Sequence, residues 1–257
     1  MEKTSYEPGT PSWVDVTAPD IEAGVAFYKA LFGWEAADQG EEAGHYTMFT
    51  KGGKNVAAIS PVMGDQPPVW TTYISVADVD ATVAAVRDNG GMVFMEPMDV
   101  MTAGRMAIAA DPTGAAFGLW QPKDHIGAQL VNEPGTLTWN ELNSRDTAAA
   151  GPFYRAVFGW SGEEEAFGDS SYTQFDIGGA PMGGMAPMNP DVPAEVPSHW
   201  LVYFAVDDTD ATVAAATSAG GSVQVPPMDI PPGRFAVLAD PGGATFAIIK
   251  TDPDYAG

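Results

Sequence analysis

Three histidines and two strand carboxylates are the side chains of this sequence best suited to acid–base chemistry. Histidine ordinarily titrates near neutral pH, so His45 and His199, which stand at the starts of predicted strands, are candidate general acids or bases. His125 falls in a predicted linker and is expected to be exposed. Asp15 and Glu141 each lie two residues beyond a tryptophan, and a carboxylate desolvated beside an indole becomes a stronger base. The absence of cysteine excludes thiolate nucleophiles, thiolate metal sites and disulfides.

Composition restricts the partners of the chain. The 257 residues carry a formal net charge of −23, and 45% of them are hydrophobic. Such a chain folds into a globular core, and its charge repels phosphate backbones and anionic lipids, so neither nucleic acid nor membrane is expected as a partner. The first residues lack the basic and apolar regions of a signal peptide, which predicts a cytoplasmic protein, although export without such a signal stays open.

An internal duplication dominates the organisation of the sequence. The segment Phe27–Trp34, FYKALFGW, returns as Phe153–Trp160, FYRAVFGW. The repeat period is too long for a solenoid, so each copy should be a whole domain, and we predict domains at residues 1–127 and 128–257. Two further pairs of matching segments follow in the same order: residues 76–85 with 206–215, and 104–114 with 233–243.

Within each copy the pattern predicts a strand, a helix and further strands, and this series occurs twice. Trp13–Thr17 alternates with the period of a strand, and Asp20 is a candidate N-cap for a helix that Gly33 would end. Asp78 is a second candidate cap, before a helix that closes at the pair Gly90 and Gly91. The rest is rich in β-branched and aromatic residues broken by Gly and Pro, as expected for short antiparallel strands.

These motifs together resemble the vicinal oxygen chelate superfamily, which includes glyoxalases, bleomycin-resistance proteins and dioxygenases. The resemblance rests on the Phe-Tyr helix ending in Gly-Trp and on the closing Asp-Pro-x-Gly-x-x-Phe, both present twice between residues 10 and 250. It looks closest to two-domain glyoxalase-like proteins of actinobacteria, some labelled hydroxylases of aromatic polyketide pathways. It implies an α+β fold: a tandem duplication in which two βαβββ modules per domain form a curled mixed sheet, or cup.

The positions that hold a metal ion in this family carry unsuitable residues here. By the resemblance, each domain would take one ligand from the first and one from the last strand of each module. Neither segment 55–60 nor segment 181–187, the first-module closing strands, contains His, Asp or Glu. Divalent transition metals require imidazole, carboxylate or thiolate donors, so no metal and no other cofactor is expected. The remaining ligand positions fall on Trp13, Trp139, Thr71, Leu201, Gly118 and Ala247.

If those positions face the cup, strand alternation brings aromatic and acidic side chains into it. A flat aromatic ligand would suit such a lining, although the tryptophans could equally fill the space that a metal and substrate occupy in relatives. Arg105 and Arg234 could steer an anionic substrate or pair with nearby aspartates. The cup-facing candidates are Trp13, Asp15, Tyr73 and Trp120 in copy one, and Trp139, Glu141 and Tyr203 in copy two.

Three functions stay open from the sequence. The first is a metal-free hydroxylase- or lyase-type enzyme of secondary metabolism that acts on a small aromatic molecule, with Asp15 or Glu141 as general base. The second is a protein that binds and sequesters an antibiotic by stacking it on tryptophan. The third is a metal-dependent glyoxalase or dioxygenase. Fusion of two copies also permits either a monomer or a homodimer.

Overall fold

The computed structural model describes residues 1–64, 66–168 and 170–255. Each copy folds as strand, helix and three strands, followed by the same series again. The first copy contains β1 Pro11–Ala18, α1 Ile21–Phe32, β2 Glu35–Asp38, β3 Thr47–Lys51, β4 Lys54–Pro61, β5 Trp70–Ser75, α2 Val79–Asp88, β6 Met92–Val100, β7 Gly104–Ala110 and β8 Ala116–Pro122. The second contains β9 Leu137–Ser144, α3 Thr147–Phe158, β10 Glu164–Phe167, β11 Ser170–Ile177, β12 Ala180–Pro187, β13 His199–Ala205, α4 Thr209–Ser218, β14 Ser222–Ile230, β15 Gly233–Ala239 and β16 Thr245–Thr251.

The strands of each copy form one mixed, eight-stranded sheet within the described residues. Its order in the first copy is β2-β3-β4-β1-β5-β8-β7-β6, and the second copy repeats that order. The two modules meet where β1 pairs antiparallel with β5, whereas β1–β4 and β5–β8 are parallel pairs. This is the curled α+β arrangement predicted from the sequence. We call the halves built on the two sheets domain 1 and domain 2, and the concave face of each sheet its cup.

The helices begin and end at the residues that the sequence indicated. The Asp20 carboxylate accepts a hydrogen bond from the amide of Ala23, and Gly33 ends α1 with φ of 68°, a value that glycine adopts without strain. Asp78 caps α2 in the same way, and Gly90 follows its last turn with φ of 82°. The helices cover the convex face of each sheet, so the cups lie on the opposite side.

The two domains interlock through matched bonds between their helices and loops. Tyr28 on α1 donates a hydrogen bond across the interface to Asp240 (2.8 Å), and Trp70 donates to the same tyrosine hydroxyl (3.0 Å). The other half repeats the arrangement, with Tyr154 donating to Asp111 (3.1 Å). All these polar atoms are buried, and buried bonds to charged groups are among the stronger ones in proteins. The Asp-Pro-x-Gly motif is therefore a structural joint between the domains.

No helix among residues 1–64, 66–168 and 170–255 combines the length and apolar character needed to cross a bilayer.

Candidate functional site

A chain of hydrogen bonds runs through the domain 1 cup and ends on a buried carboxylate. The indole Nε1 of Trp13 donates to the hydroxyl of Tyr46 (2.9 Å), which donates to Oδ2 of Asp15 (3.0 Å). The hydroxyl of Tyr73 donates to the same oxygen from the other side (3.0 Å). Strand pairing explains the contact, because β1 places Trp13 opposite Tyr73 and Asp15 opposite Thr71. The cup therefore presents an acid held between two phenols.

The environment of Asp15 makes it a stronger base than an ordinary aspartate. Burial raises its pKa to about 6, because the charged carboxylate loses its water. Hydrogen bonds from Tyr46, Tyr73 and Thr71 favour the charged form and oppose the rise in pKa only in part. Its side chain therefore changes charge near neutral pH.

The domain 2 cup contains the same chain of residues. Trp139 donates from Nε1 to the hydroxyl of Tyr172 (2.8 Å), and Tyr203 donates to Oε1 of Glu141 (3.1 Å). Burial raises the pKa of Glu141, opposed by hydrogen bonds from Tyr203, Asn143 and Tyr172. Glu141 is half-buried, whereas Asp15 is 6% exposed. Each domain thus builds a tryptophan, tyrosine, carboxylate and tyrosine cluster on the same strands, and the second is more open to solvent.

Two glycines make room for the tyrosines. A Cβ atom on Gly118 would lie 2.1 Å from the ring of Tyr73, and one on Gly184 would lie 1.9 Å from the hydroxyl of Tyr172. Real Cβ atoms do not approach other atoms so closely. β8 of domain 1 and β12 of domain 2 therefore carry a glycine, Gly118 and Gly184, at the point where a tyrosine side chain lies across the strand.

The residues at the family's metal-binding positions do not fit a metal ion. The tyrosine ring of Tyr73 fills the space that a side chain at Gly118 would occupy. Trp13 offers only an N–H donor, and Thr71 and Leu201 offer no charged ligand. Across the part of the chain that the structure describes, three or more His, Asp or Glu side chains never converge in a metal-binding arrangement.

Replacing Gly118 with alanine should disturb the domain 1 cluster strongly for so small a change. The new methyl group must displace the Tyr73 ring, which overpacks a buried site and pulls the phenol away from Asp15. We expect the free energy of unfolding to fall by roughly 1–3 kcal/mol, as is usual for overpacking. Urea denaturation monitored by fluorescence measures the change.

Gly151→Ala is the matched control for this prediction. A Cβ atom at this helical glycine meets only the Sδ-bound methyl of Met185, at the ordinary distance of 3.5 Å. Because alanine also favours helix, this variant should be unchanged or gain up to about 1 kcal/mol. Equal stability losses in the two variants would show that the Tyr73 contact is not the cause.

His125 is not exposed, contrary to the expectation from the sequence. Its ring packs edge-on against Trp13, with centroids 4.5 Å apart, and near Trp120 at 5.6 Å. Its Nε2 atom is buried and makes no hydrogen bond with the described residues, and burial lowers its pKa to about 4. The prediction failed because the linker does not pass through solvent but crosses the mouth of the domain 1 cup, where Trp120 donates to the His125 carbonyl (2.8 Å).

Of the other two histidines, His45 is exposed and His199 is half-buried. His45 Nδ1 is 2.9 Å from an exposed carboxylate oxygen of Asp38, in the loop that leads to Tyr46. His199 Nδ1 is 3.0 Å from the carbonyl of Pro197. Alternation along β13 puts His199 on the same face as Tyr203, so it lies on the cup side of domain 2. The His45 ring pairs instead with the exposed Asp38.

Both candidate arginines are engaged in ion pairs on the helix-bearing face. Arg105 binds Asp80 of α2 through Nε and Nη2 (3.0 and 3.1 Å). Its neighbour Met106 pairs with the cup residue Trp120, so Arg105 points to the opposite face of β7. Arg234 binds Asp210 of α4 in the same manner. The sequence also allowed this structural pairing, and it turns both guanidinium groups away from the cups.

Sequence reasoning missed Tyr46 and Tyr172, the phenols that join each tryptophan to its carboxylate. Tyr172 lies on β11 and Tyr46 lies just before β3. The pairing register of these strands depends on the turns that connect them, and the alternation of residues within a strand does not specify those turns. A signal was nevertheless available, because the two tyrosines are separated by the same number of residues as Phe27 and Phe153 in the duplicated helices. Comparing the two copies position by position would have selected them.

The sequence has close relatives over its full length. It is 48% identical to "Putative glyoxylase CFP32" of Mycobacterium tuberculosis over 98% of both chains. It is 39% identical to "Anthracycline biosynthesis protein DnrV" of Streptomyces peucetius, over 98% of this chain and 97% of the relative. These identities are high enough to indicate a shared fold and family.

Solved structures show the same fold at low identity. The Mn(II)-bound glyoxalase from Novosphingobium aromaticivorans superposes with a TM-score of 0.67 at 20% identity, covering 95% of this chain and 82% of that one. The 2,3-dioxygenase LapB from Pseudomonas sp. KL28 superposes with a TM-score of 0.68 at 15% identity, covering 98% and 97%. The family model matches residues 10–119 and again residues 127–248. The chain therefore belongs to the Glyoxalase/Bleomycin resistance protein/Dioxygenase superfamily, as two tandem domains.

Proposed function

We propose that this protein is a metal-independent, glyoxalase-like enzyme that acts on a small aromatic, polyketide-type metabolite in an aromatic-lined cup. The observation that carries the proposal is the repeated cluster in which a desolvated carboxylate, Asp15 or Glu141, is held by two phenols beside an indole. Burial raises the pKa of both carboxylates, which makes each a stronger base and suits it to general acid–base catalysis.

The cluster supports proton transfer within a bound ligand. The aromatic ring of the ligand would lie against the cup tryptophan, which provides flat apolar area. The carboxylate would take a proton from a hydroxyl group, or from a carbon next to a carbonyl, and return it to another atom of the same molecule. Such an isomerisation balances without an oxidant or a metal. The tyrosine hydroxyls would hold the carboxylate in place and disperse its charge.

The names of the relatives support the proposed enzymatic activity and the proposed class of substrate. One is named a putative glyoxylase, which belongs to the class of enzymes rather than of binding proteins. Another is named for anthracycline biosynthesis, and anthracyclines are fused aromatic polyketides. We transfer from these names only the general substrate class, a flat polycyclic molecule with hydroxyl and carbonyl groups.

The double variant Asp15→Asn with Glu141→Gln tests the proposal. The protein would be incubated with hydroxylated anthraquinones and related polyketide intermediates, and the products followed by mass spectrometry. We expect the wild type to convert at least one of them, and the double variant to lose conversion by 100-fold or more while it still binds the ligand, because general base catalysis contributes factors of about 10²–10⁴. Unchanged rates in the double variant would refute a catalytic role for the carboxylates.

Sequestration without chemistry is the second candidate function. It is favoured by the same aromatic lining, since stacking on indole gives affinity without any reaction. The two functions differ in one measurable result. Sequestration leaves the bound compound intact after prolonged incubation with the wild type, whereas catalysis converts it; quenching of tryptophan fluorescence reports binding in either case.

A further inference from the structure

The two cups differ in what lies across their mouths. In domain 1 the linker, residues 123–131, crosses the cup: His125 bonds through its amide to the carbonyl of Ala103 (3.0 Å), and Ala128 bonds to Ser12 (2.8 Å). The His125 ring sits between the two cup tryptophans, Trp13 and Trp120. The linker thus ties β1 to the β6–β7 turn and closes the space between them.

The side chains of the domain 1 cup are sealed as a result. Trp13 is 3% exposed, Asp15 6%, Tyr73 8% and Trp120 5%. A flat ligand cannot reach the Asp15 cluster unless the linker leaves its hydrogen bonds and His125 leaves the indoles. This cup has the burial of a protein core.

The corresponding segment of domain 2 takes another course. Asp252 bonds to the carbonyl of Pro232 (2.9 Å), as Lys123 bonds to Ala103 in domain 1. The chain then turns back on itself, with the amide of Tyr255 bonding to the carbonyl of Asp252 (3.1 Å), and residues 251–255 are all exposed. The ring that this segment carries, Tyr255, lies near Tyr172 and is 46% exposed, and among the described residues it makes no ring contact with Trp139 of the kind that His125 makes with Trp13.

The domain 2 cup is accordingly more accessible at its tryptophan and its carboxylate, whereas Tyr203 is 6% exposed. Among the seven tryptophans, all of which the structure describes, Trp139 alone is half-buried, whereas the other six are at most 5% exposed. Phe235, which takes the place of Met106, stacks on Tyr203 with ring centroids 6.4 Å apart. Glu141 is half-buried beside them. An accessible aromatic wall next to a carboxylate and two phenols suits a flat ligand with a hydroxyl or carbonyl group.

We propose that the ligand binds in the domain 2 cup, against Trp139 and Phe235 with Glu141 as the proton-accepting carboxylate, while the linker converts the domain 1 cup into a closed core. This assignment rests on the proposed function. By this assignment the cluster of domain 2 binds the ligand, and the matching cluster of domain 1 has a structural role. The chain therefore supplies its own control, because each substitution in one cup has a counterpart in the other.

The accessibility of the cups is tested first, without any ligand. Acrylamide quenching of tryptophan fluorescence would be compared in the wild type, Trp139→Phe and Trp13→Phe. We expect Trp139→Phe to remove most of the accessible fraction of the fluorescence and Trp13→Phe to leave it unchanged. An accessible fraction that disappears in Trp13→Phe instead would overturn the assignment.

Ligand binding is then measured with 1,8-dihydroxyanthraquinone, a flat probe that carries both hydroxyl and carbonyl groups. The wild type should bind one probe per chain. Trp139→Phe should weaken binding tenfold or more and Trp13→Phe less than twofold, with circular dichroism confirming that both variants are folded. In the conversion assay, Glu141→Gln alone should lose conversion to the same extent as the double variant.

The results separate the two proposals. If the wild type binds the probe and Trp13→Phe is the weakened variant, or two probes bind per chain, the cup assignment is wrong and the proposed function stands. If the wild type binds none of the aromatic compounds, the proposed function fails and the cup assignment falls with it. If Trp139→Phe alone loses affinity while conversion is absent in every protein, the cup assignment stands as a binding site and the catalytic role fails.

Discussion

Replacing Asp111 with alanine should lower the free energy of unfolding by about 3–5 kcal/mol, the largest loss we expect from a single substitution outside the hydrophobic core. Asp111 is fully buried, and its Oδ1 accepts bonds from the amides of Thr113 and Ala115 (2.7 and 3.1 Å). Its Oδ2 accepts the bond from Tyr154 of the other domain. The Thr113 hydroxyl also donates to Oδ1 (2.7 Å), so alanine removes the acceptor of four donors. The Ala115 amide and the Tyr154 hydroxyl are buried, and leaving buried donors unpaired costs more than the bonds themselves contribute.

The cross-domain part of this loss is isolated by Tyr154→Phe. Phenylalanine removes only the hydroxyl, which donates to Asp111 and accepts a bond from the indole Nε1 of Trp200 (3.0 Å). We therefore expect a loss of about 1–3 kcal/mol in urea denaturation. The duplication gives a replicate, because Asp240 accepts Tyr28 at 2.8 Å and the amides of Gly243 and Ala244 in the same way. A loss below about 1 kcal/mol for both Asp111→Ala and Asp240→Ala would contradict a structural role of the Asp-Pro-x-Gly motif.

The fold could be predicted from the sequence because its signals are local and occur twice. The N-caps Asp20 and Asp78, the apolar stripe of α1 and the glycine after each helix all depend on short-range geometry, and the structure confirms them. The pairing of Tyr28 with Asp240 could not be predicted in this way. It joins residues far apart in the chain, and no spacing rule within one copy specifies which element of the other copy it meets.

The candidate site was predictable to the same extent. Strand alternation placed Trp13, Asp15 and Tyr73 on one face, because side-chain direction in a strand follows from sequence parity alone. The course of the linker was not predictable, since its polar and glycine-containing sequence is equally typical of an exposed connection. The burial of His125 is decided instead by the two indoles that receive its ring.

Replacing Asp15 with asparagine should stabilise the protein at neutral pH. Asp15 is almost fully buried and its pKa is raised to about 6, so keeping it ionised at pH 7.5 destabilises the folded state. A tenfold change in the ionisation constant between the unfolded and the folded chain corresponds to about 1.4 kcal/mol, which gives an expected gain of roughly 1–3 kcal/mol for the neutral, similarly shaped asparagine. A closed cup that serves as a core should tolerate this change without loss of ligand binding.

The gain should depend on pH in a direction that follows from the raised pKa. Below about pH 6 the folded wild type binds a proton that the unfolded chain does not yet bind, so its stability rises as the pH falls. Once the unfolded chain is protonated as well, near pH 4, a protonated Asp15 resembles asparagine in charge and shape. The difference in unfolding free energy between Asp15→Asn and the wild type should therefore be largest above pH 7 and shrink towards zero at pH 4.

Asp88→Asn is the control, because Asp88 is exposed at the end of α2 and a surface substitution there should change stability by no more than about 0.5 kcal/mol. Urea denaturation of the three proteins between pH 4 and pH 8 separates the buried acid from the general effect of removing one negative charge from a strongly acidic chain. A loss of stability in Asp15→Asn at pH 7.5, or a difference that does not vary with pH, would mean that the bonds from Tyr46 and Tyr73 stabilise the carboxylate more than burial destabilises it. In that case burial would not raise the pKa of Asp15, and the domain 1 cup would not behave as a sealed core.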